Sequence, residues 1–276
     1  MGIAVITGAS SGIGKEFFDL LYRARKAADS GQSPVTGHPV CEQIWVVSRN
    51  LSVFTDHPDL YDPTIVRPLP LDLSSPTDRD QLKEELRSKA PQIQILIQCA
   101  GLGIVGRADT LPDTDIRTMI DVNCTALTEI AIMALPYMSS ISRRERPVMI
   151  NIASSAGFLP QAGFSVYAAT KSYVIHFSRA LHREQIASGP VVTALCPGPV
   201  DTPFFDKASG SPGYAKRGFK SHFLVKPDKV AAYALRKSAQ GRSLCAYGFS
   251  QRCLHLISKL LPNRWLIGVS AKVVKF

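Results

Sequence analysis

The chain has 276 residues, of which 45% are apolar, and it carries a formal net charge of +10 at pH 7. This length allows one large domain with a substantial core, and the apolar fraction excludes a disordered chain. The six cysteines include no CxxC pair, so we expect reduced, mostly buried thiols of an intracellular protein and no metal site. No apolar run reaches the ~18 residues that span a bilayer. A hydrophobic strand at residues 3–6 leaves no room for a signal peptide.

Strand and helix patterns alternate along the chain, which predicts a parallel sheet covered by helices on both faces. Seven strands are predicted, at residues 3–6, 44–48, 65–69, 95–98, 148–152, 191–195 and 244–247. Five helices are predicted, at residues 12–28, 78–89, 113–138, 166–188 and 227–239. We therefore expect a doubly wound α/β fold in one domain. Two irregular segments interrupt it, a surface loop at 28–43 and a longer stretch at about 201–226 that is typical of a lid.

A glycine-rich segment follows the first predicted strand and opens the first helix, as Thr7-Gly8-Ala9-Ser10-Ser11-Gly12-Ile13-Gly14. Glycines let the backbone turn sharply and approach a pyrophosphate, and free N–H groups at a helix start hold phosphate oxygens. An ordinary strand–helix turn is the alternative. The position of the turn favours a dinucleotide site formed by Gly8, Ser10, Ser11, Gly12, Ile13 and Gly14.

The end of the second predicted strand favours NADPH/NADP+ over NADH. An acidic residue there would hold the ribose 2′-hydroxyl of NAD, but this chain has Ser48 and Arg49. Arg49 offers a planar, permanently charged group for a 2′-phosphate, with a solvated surface arginine as the alternative. Asp72 and Leu73 follow the third strand and are expected to border the adenine, although Asp72 also suits a helix cap or turn.

Tyr167 and Lys171 are four residues apart on a predicted helix and share one face. A phenol titrates near ~10, so we expect the neighbouring ammonium to lower the pKa of Tyr167 toward neutrality. Tyr167 could then exchange a proton with a carbonyl or alcohol oxygen. Ser154 follows the predicted strand at 148–152, where its hydroxyl could bind the same oxygen. A Tyr-x-x-x-Lys pair alone is weak, because most such pairs are chance neighbours on a helix surface.

Taken together, these motifs make the sequence resemble the short-chain dehydrogenase/reductase family. The matching segments follow the family's order and spacing over about residues 1–240. They are Thr7–Gly14, Asp72-Leu73, Ala100-Gly101, Asn123, Ser154, Tyr167, Lys171 and Pro197-Gly198-Pro199-Val200-Asp201-Thr202. The resemblance implies a Rossmann-like, seven-stranded parallel sheet and an NADP-dependent oxidoreductase.

The resemblance also implies a role for each matching residue. Ser154 would orient the carbonyl, Tyr167 would be the acid or base, and Lys171 would bind the nicotinamide ribose and tune Tyr167. Asn123 would hold a water in the proton relay, and Thr202 would contact the nicotinamide carboxamide. Further cofactor contacts are implied for Ala100, Gly101, Pro197, Gly198 and Val200.

One segment departs from the family pattern. Where the family has Asn-Asn-Ala-Gly, this chain has Gln98-Cys99-Ala100-Gly101. Cysteine lacks the amide that makes hydrogen bonds on both sides. We expect a stability cost of about 1 kcal/mol per hydrogen bond, or a local rearrangement, without loss of activity.

The C-terminal part of the chain is strongly basic. From Lys229 to Phe276 there are nine basic residues and no acidic one. We expect residues 1–250 to form the domain and residues 251–276 to form a basic amphipathic extension. In a helical conformation this segment would group apolar and basic positions on opposite faces, with Leu254, Ile257 and Leu261 on one and Arg252, His255 and Lys259 on the other.

This extension allows two interpretations. It can pack on the domain or on a partner subunit, or it can make a peripheral membrane contact. No motif for nucleic acid binding is present. We expect a cytoplasmic protein, with attachment to a membrane periphery as the alternative. Family members are commonly dimers or tetramers, so the resemblance also implies a homo-oligomer.

Aromatic side chains near the predicted site suggest a broad apolar pocket. They are Phe204, Phe205, Tyr214, Phe219 and Phe223 in the lid and Phe158 and Phe164 near the fifth strand, with Leu159 beside them. We expect a bulky lipophilic substrate, such as a steroid or a fatty-acyl-derived ketone. The chain therefore looks closer to the hydroxysteroid dehydrogenase and long-chain ketoacyl reductase branch of the family than to the sugar reductases. The alternatives are a non-catalytic NADPH-binding regulator and a membrane-associated scaffold on the same fold.

Overall fold

Seven short, apolar strands pair in parallel to form a single sheet. They are β1 (Ile3–Thr7), β2 (Gln43–Ser48), β3 (Val66–Pro70), β4 (Ile93–Gln98), β5 (Val148–Ile152), β6 (Val191–Cys196) and β7 (Leu244–Ala246). Their order in the sheet is β3-β2-β1-β4-β5-β6-β7, which confirms the predicted doubly wound arrangement. The computed structural model describes residues 2–31, 38–57, 60–139, 146–213 and 224–262.

Helices cover both faces of the sheet. In the described ranges they are α1 (Gly12–Asp29), α2 (Ser52–Thr55), α3 (Pro76–Lys89), α4 (Asp113–Ile120), α5 (Leu127–Ala134), α6 (Ser165–Glu184), α7 (Phe204–Ser209), α8 (Pro227–Ala239) and α9 (Phe249–Leu260). Two cores result, because successive strand side chains point to opposite faces. Ile6 of β1 packs with Phe17 of α1 and Val230 of α8, whereas Val5 packs with Leu82 of α3.

The strand order reverses at β1, which has β2 on one side and β4 on the other. Thr7, at the carboxyl end of β1, pairs with Val47 of β2 and with Gln98 of β4. The segments that leave these three strands therefore start side by side at one edge of the sheet. Such a reversal opens a crevice outside the carboxyl ends of the strands, where this class of sheet binds ligands.

A continuous helical stretch, Asp113–Tyr137, is long and apolar enough by length and composition to cross a membrane. Ile130, Ala131 and Ala134 of this stretch are buried in the same core as Val5 and Leu82. This burial accounts for the apolar composition of the stretch. Between α4 and α5 the stretch widens into a π-helical turn at Asp121–Ala126. Turns of this kind are frequent at functional sites, and this one carries Asn123.

All predicted strands and helices are present, with ends that shift by a few residues. The largest difference is at α6, which ends at Glu184 and not at Ser188. Gly189 and Pro190 follow closely, and neither favours a helix interior. Two short helices, α2 and α7, were not predicted because four to six residues carry too little periodicity.

Parts of three predicted segments lie outside the described residues. Residues 32–37 of the first irregular loop and residues 214–223 of the lid are among them, as are residues 263–276 of the extension. The aromatic residues concerned are Tyr214, Phe219, Phe223, Trp265 and Phe276.

The extension begins as α9, which contacts the domain through Gln251 and His255. His255, grouped with Arg252 and Lys259 in the sequence, packs against Phe158 with ring centroids 4.5 Å apart. Ile257 and Leu261 of the apolar group are exposed, whereas Leu254 is half-buried. The membrane contact of the extension stays a prediction.

Candidate active site

A cleft of about 500 Å³ opens at the carboxyl ends of the central strands. Almost all of the predicted site residues line it. They are Gly8, Ser10, Ser11, Gly12, Ile13, Arg49, Asp72, Leu73, Ala100, Gly101, Ser154, Tyr167, Lys171, Pro197, Gly198, Val200 and Thr202. Gly14 and Asn123 are the two predicted residues that do not reach the cleft wall. The cleft has one acidic wall residue, Asp72, against three basic ones, so it suits an anionic ligand.

The glycine-rich turn has the shape that a phosphate group requires. Gly8 has φ 67°, and a Cβ there would lie 2.7 Å from the backbone nitrogen of Ala100. A Cβ on Gly14 would lie 2.2 Å from the carbonyl oxygen of Gly8, so the turn can close only without side chains. The Ser11 side chain makes no cap hydrogen bond to α1, which leaves backbone N–H groups of its first turn free for an anion.

Thr202 joins the glycine-rich turn to the loop after β6. Gly12 has φ 57°, and a Cβ there would lie 3.2 Å from the Cγ2 atom of Thr202. The loop is itself anchored, because Val200 and Val225 form an isolated parallel bridge. Two segments that are far apart in the chain therefore meet at the mouth of the cleft. The contact of Thr202 with the nicotinamide carboxamide stays a prediction.

The ends of β2 and β3 form the other side of the cleft. Ser48 shares a hydrogen bond with Ser10 across 2.9 Å between their hydroxyl oxygens. Arg49 is exposed at the cleft edge. Burial would raise the pKa of Asp72, but hydrogen bonds from the backbone N–H and hydroxyl of Ser74, together with the charge of Arg49, lower it.

Asp72 does not cap α3. The cap is Ser75, whose hydroxyl oxygen accepts from the backbone N–H of Asp78 at 3.3 Å. Asp72 instead holds the turn between β3 and α3 through its bonds to Ser74. Its carboxylate is thus fixed in the ionised form on the cleft wall.

Tyr167 lies at the inner end of the cleft, on the first turn of α6. Burial raises the pKa of its phenol above the ordinary value, and a hydrogen bond with Ser154 opposes that rise only in part. The expectation that Lys171 lowers this pKa is wrong for the structure described here, since desolvation outweighs every favourable interaction. Tyr167 is therefore a neutral proton donor at neutral pH.

Lys171 is buried one turn further along α6. Its ammonium nitrogen donates a hydrogen bond to the backbone carbonyl of Ile152 at 2.8 Å and lies 5.7 Å from the centre of the Tyr167 ring. Burial lowers the pKa of Lys171 to about 8. The side chain can thus lose its charge at mildly alkaline pH.

Asn123 is fully buried on the π-helical turn. Its Oδ1 atom accepts from the backbone N–H of Leu102 at 3.0 Å, and its Nδ2 atom donates to the Leu102 carbonyl at 2.8 Å and to the Thr170 hydroxyl at 3.0 Å. The side chain therefore clamps the segment after β4 onto α6. A Cβ on Gly101 would lie 3.1 Å from Asn123 Oδ1 and 3.3 Å from Lys171 Nζ, so a larger residue there would press on both side chains. The proton-relay water at Asn123 stays a prediction.

Cys99, at the position of the family asparagine, is held by backbone hydrogen bonds to the end of β1. Its N–H donates to the Thr7 carbonyl at 3.2 Å, and the N–H of Ala100 donates to the Thr7 hydroxyl at 3.1 Å. Burial raises the pKa of the Cys99 thiol to about 12, so the cleft contains a neutral thiol. The stability cost expected from the missing amide stays a prediction.

A buried polar chain crosses the sheet beside Cys99. Gln98 donates from Nε2 to Oδ1 of Asn151 at 3.1 Å, and Asn151 donates from Nδ2 to the hydroxyl of Ser178 at 2.9 Å. Ser178 passes the chain on to the carbonyl of Val174 on α6 at 2.6 Å. This chain connects β4 and β5 to the helix that carries Tyr167.

Aromatic rings enclose Tyr167 on the side away from the glycine-rich turn. Phe164 stacks on Tyr167 with centroids 4.3 Å apart, and Phe204 of α7 lies 5.5 Å from it. A Cβ on Gly103 would lie within 2.8–3.0 Å of all three rings, so this glycine allows the enclosure. Phe158 was expected here, but it packs against His255 instead.

Helix α7 closes over this end of the cleft. The N–H of Val105 donates to the carbonyl of Ala208 at 2.8 Å, which ties α7 to the segment after β4. Several residues of the cleft wall in this region were not predicted from the sequence. They are Leu102, Gly103, Ile104, Thr118, Val122, Pro203 and Lys207. Lys207 could have been found from the sequence, because it lies three residues after Phe204 in the predicted lid.

Comparisons with known proteins agree with this geometry. The family model described as short chain dehydrogenase matches residues 48–211. An uncharacterised oxidoreductase of Staphylococcus aureus strain USA300 is 30% identical over 200 residues, which cover 72% of this chain and 78% of the relative.

Two solved structures are similar in fold to this chain. A short-chain dehydrogenase from Sphingobium yanoikuyae in complex with NADPH is 25% identical, with a TM-score of 0.72, and the match covers 100% of this chain and 97% of that one. A serine dehydrogenase in its closed form with NADP+ is 26% identical, with a TM-score of 0.70, and the match covers 88% of this chain and 93% of that one. The chain belongs to the short-chain dehydrogenase family and is an oxidoreductase of the Rossmann-like fold.

Proposed function

We propose that this protein uses NADPH to interconvert a ketone and a secondary alcohol on a bulky lipophilic substrate. The observation that carries the proposal is that Tyr167, Lys171 and Ser154 line the same cleft as the glycine-rich turn. A proton donor, an oxygen-binding hydroxyl and a dinucleotide site are the parts that carbonyl reduction requires.

The residues of the cleft fit a dinucleotide. The glycine-rich turn and the uncapped start of α1 suit the diphosphate. The residues that we assign to it are Gly8, Ser10, Ser11, Gly12, Ile13 and Gly14. Asp72 and Leu73 would border the adenine. Near the nicotinamide we assign the wall residues Ala100, Gly101, Tyr167, Lys171, Pro197, Gly198, Val200 and Thr202, with Asn123 buried behind them. When bound, the nicotinamide supplies a hydride to the carbonyl carbon or accepts one from the alcohol carbon.

The choice of NADPH rests on the edge of the cleft at β2. Ser48 and Arg49 take the place of an acidic side chain, and Arg49 is exposed there with its guanidinium available for a 2′-phosphate. The NADPH and NADP+ in the two similar structures support the same cofactor.

The proton chemistry follows from burial. Because Tyr167 keeps its proton at neutral pH, it would donate that proton to the carbonyl oxygen during reduction. Ser154 would donate a hydrogen bond to the same oxygen and hold it near the phenol. Lys171 would carry its charge below pH 8, where it can bind the ribose hydroxyls and restore the proton to Tyr167.

The apolar walls near Tyr167 support a lipophilic substrate. Phe164, Phe204, Leu102 and Ile104 belong to one apolar cluster with the catalytic ring. A steroid ketone or a fatty-acyl-derived ketone matches such a surface. A non-catalytic regulator would need neither Tyr167 nor Ser154, so the retention of both favours the enzyme.

We also propose the organisation of the chain. Residues 1–250 form the catalytic domain, the lid spans about 201–226, and residues 251–276 form the basic extension. Ile120, Ile132 and Tyr173 expose apolar surface on α4, α5 and α6, which a second copy would bury in a homo-oligomer. We place the protein in the cytoplasm.

The test is a screen of NADPH oxidation with steroid ketones, fatty-acyl-derived ketones and small diketones, each repeated with NADH. The expected result is turnover with at least one bulky ketone and a higher kcat/KM with NADPH. A higher kcat/KM with NADH would overturn the role of Arg49. Turnover of small diketones alone would overturn the lipophilic substrate.

A further inference from the structure

Helix α9 presents its apolar side chains to solvent. Phe249, Leu256 and Leu260 are 82%, 58% and 71% exposed, and they follow one another at seven- and four-residue steps. Steps of this size place the three side chains in one row along a helix. We call this row the α9 stripe; exposed Ile257 lies beside it.

The inward side of α9 is held in place by the domain. Gln251 is buried against the loop after β6, where a Cβ on Gly198 would lie 2.4 Å from its Nε2 atom. His255 packs on Phe158, which belongs to the 3-10 turn that follows Ser154. These contacts fix the rotation of α9, so the α9 stripe cannot turn inward without breaking them.

Basic side chains lie on α9 beside the α9 stripe and on the neighbouring helix α8. Arg252 and Lys259 are exposed on α9 itself. Arg236, Lys237 and Arg252 all lie within 6 Å of the centre of the Tyr233 ring, at 5.6, 5.8 and 5.9 Å. In the described ranges, none of these four cations forms an ion pair with an acidic side chain.

We propose that α9 docks the protein on the surface of an anionic lipid bilayer. The α9 stripe would enter the interface, and the flanking bases would contact lipid headgroups. An apolar row bordered by unpaired cations has this complementarity. A second copy of the chain fits less well, because it would bring two rows of bases together. No acidic residue between Lys229 and Phe276 would offset that repulsion.

The test is co-sedimentation of the purified full-length chain with two kinds of vesicle. One is phosphatidylcholine alone, and the other contains about one-third phosphatidylglycerol. We expect the wild type to pellet with the anionic vesicles, to stay in solution with the neutral ones, and to be released by high salt. Phe249→Ser/Leu260→Ser and Lys259→Glu should each weaken partitioning about tenfold or more.

Matched controls separate the α9 stripe from general surface effects. Leu60→Ser replaces another leucine that is 63% exposed, and Lys83→Glu reverses another exposed charge; both should pellet like the wild type. Thermal unfolding should give the same midpoint for every variant. If the double variant unfolds, Lys259→Glu still decides the result.

Three outcomes would overturn the proposal. The first is no pelleting of the wild type, and the second is equal pelleting of the wild type, the α9 variants and the controls. The third is sedimentation velocity showing that Phe249→Ser/Leu260→Ser dissociates an oligomer while no form binds vesicles. In that case a second copy covers the α9 stripe.

Discussion

The ammonium group of Lys171 is bound to the backbone carbonyl of Ile152, 2.8 Å away, at the end of the strand that leads to Ser154. This bond ties α6, which carries Tyr167, to β5, which leads to Ser154. It also keeps a cation in a buried position, where desolvation disfavours its charge.

The first prediction concerns the pH dependence of stability. The pKa of Lys171 falls from 10.5 to about 8 on folding, so the penalty for its buried charge is complete below pH 8. Between the two values the unfolded state binds more protons than the folded state, and the free energy of unfolding should rise with pH. Relative to Lys171→Met, the wild type should gain on the order of 3 kcal/mol across this window. Urea unfolding at several pH values measures it, and a constant difference between the two proteins would contradict it.

The second prediction concerns the proton donor. Tyr167→Phe removes the phenolic proton but keeps the ring between Phe164 and Phe204, so NADPH binding should be unchanged. Turnover should fall by about 10²–10⁴-fold. Fluorescence titration with NADPH and steady-state kinetics measure the two effects. Tyr173→Phe is the matched control, because it removes an exposed phenol from the same helix. Full turnover in Tyr167→Phe would remove the central part of the proposed mechanism.

The third prediction concerns cofactor choice. Arg49→Ala should weaken NADPH binding by about 10–100-fold, because charge-assisted hydrogen bonds to a phosphate are lost. NADH, which lacks the 2′-phosphate, should bind as before. Arg87→Ala is the control, since Arg87 pairs with Glu84 on the exposed side of α3. An equal loss of affinity for NADPH and NADH would show that Arg49 does not bind the 2′-phosphate.

The fourth prediction concerns the buried polar chain. Gln98→Met removes the donor to Asn151 and leaves its Oδ1 atom unpaired in the core. The free energy of unfolding should fall by about 1–3 kcal/mol, whereas Gln240→Met, at an exposed position, should change it by less than about 0.5 kcal/mol. Replacing both partners, as Gln98→Met/Asn151→Leu, should recover part of the loss. Chemical denaturation is the measurement, and an undiminished stability of Gln98→Met would refute the prediction.

The fifth prediction concerns the thiols. All six cysteines are free, and burial raises the pKa of the thiols of Cys41, Cys99, Cys124, Cys196 and Cys245. These five should react slowly with a thiol reagent in the folded protein. Cys253 lies half-buried on α9 and should react first. Cys253→Ser should abolish the fast phase, and persistence of that phase would show that another thiol is accessible.

Much of the site could be predicted because its parts are local in sequence. The glycine turn, the strand end at Arg49 and the spacing of Tyr167 and Lys171 each depend on a short segment. The alternation of strands and helices then places those segments at one edge of the sheet. The apolar enclosure of Tyr167 was harder, because Phe204 and Gly103 reach it from separate segments.

The sequence by itself determined the doubly wound sheet, which follows from the alternation of strand and helix patterns, and the dinucleotide turn, which follows from motif spacing. The choice of the proposed catalytic residues rests on the family resemblance of the combined motifs. Only the tertiary structure decided the protonation of Tyr167, because desolvation depends on everything packed around the ring. It also decided which side of α9 faces solvent. Helical periodicity separates the two faces of a helix, but the contacts of Gln251 and His255 with the domain select the one that is buried.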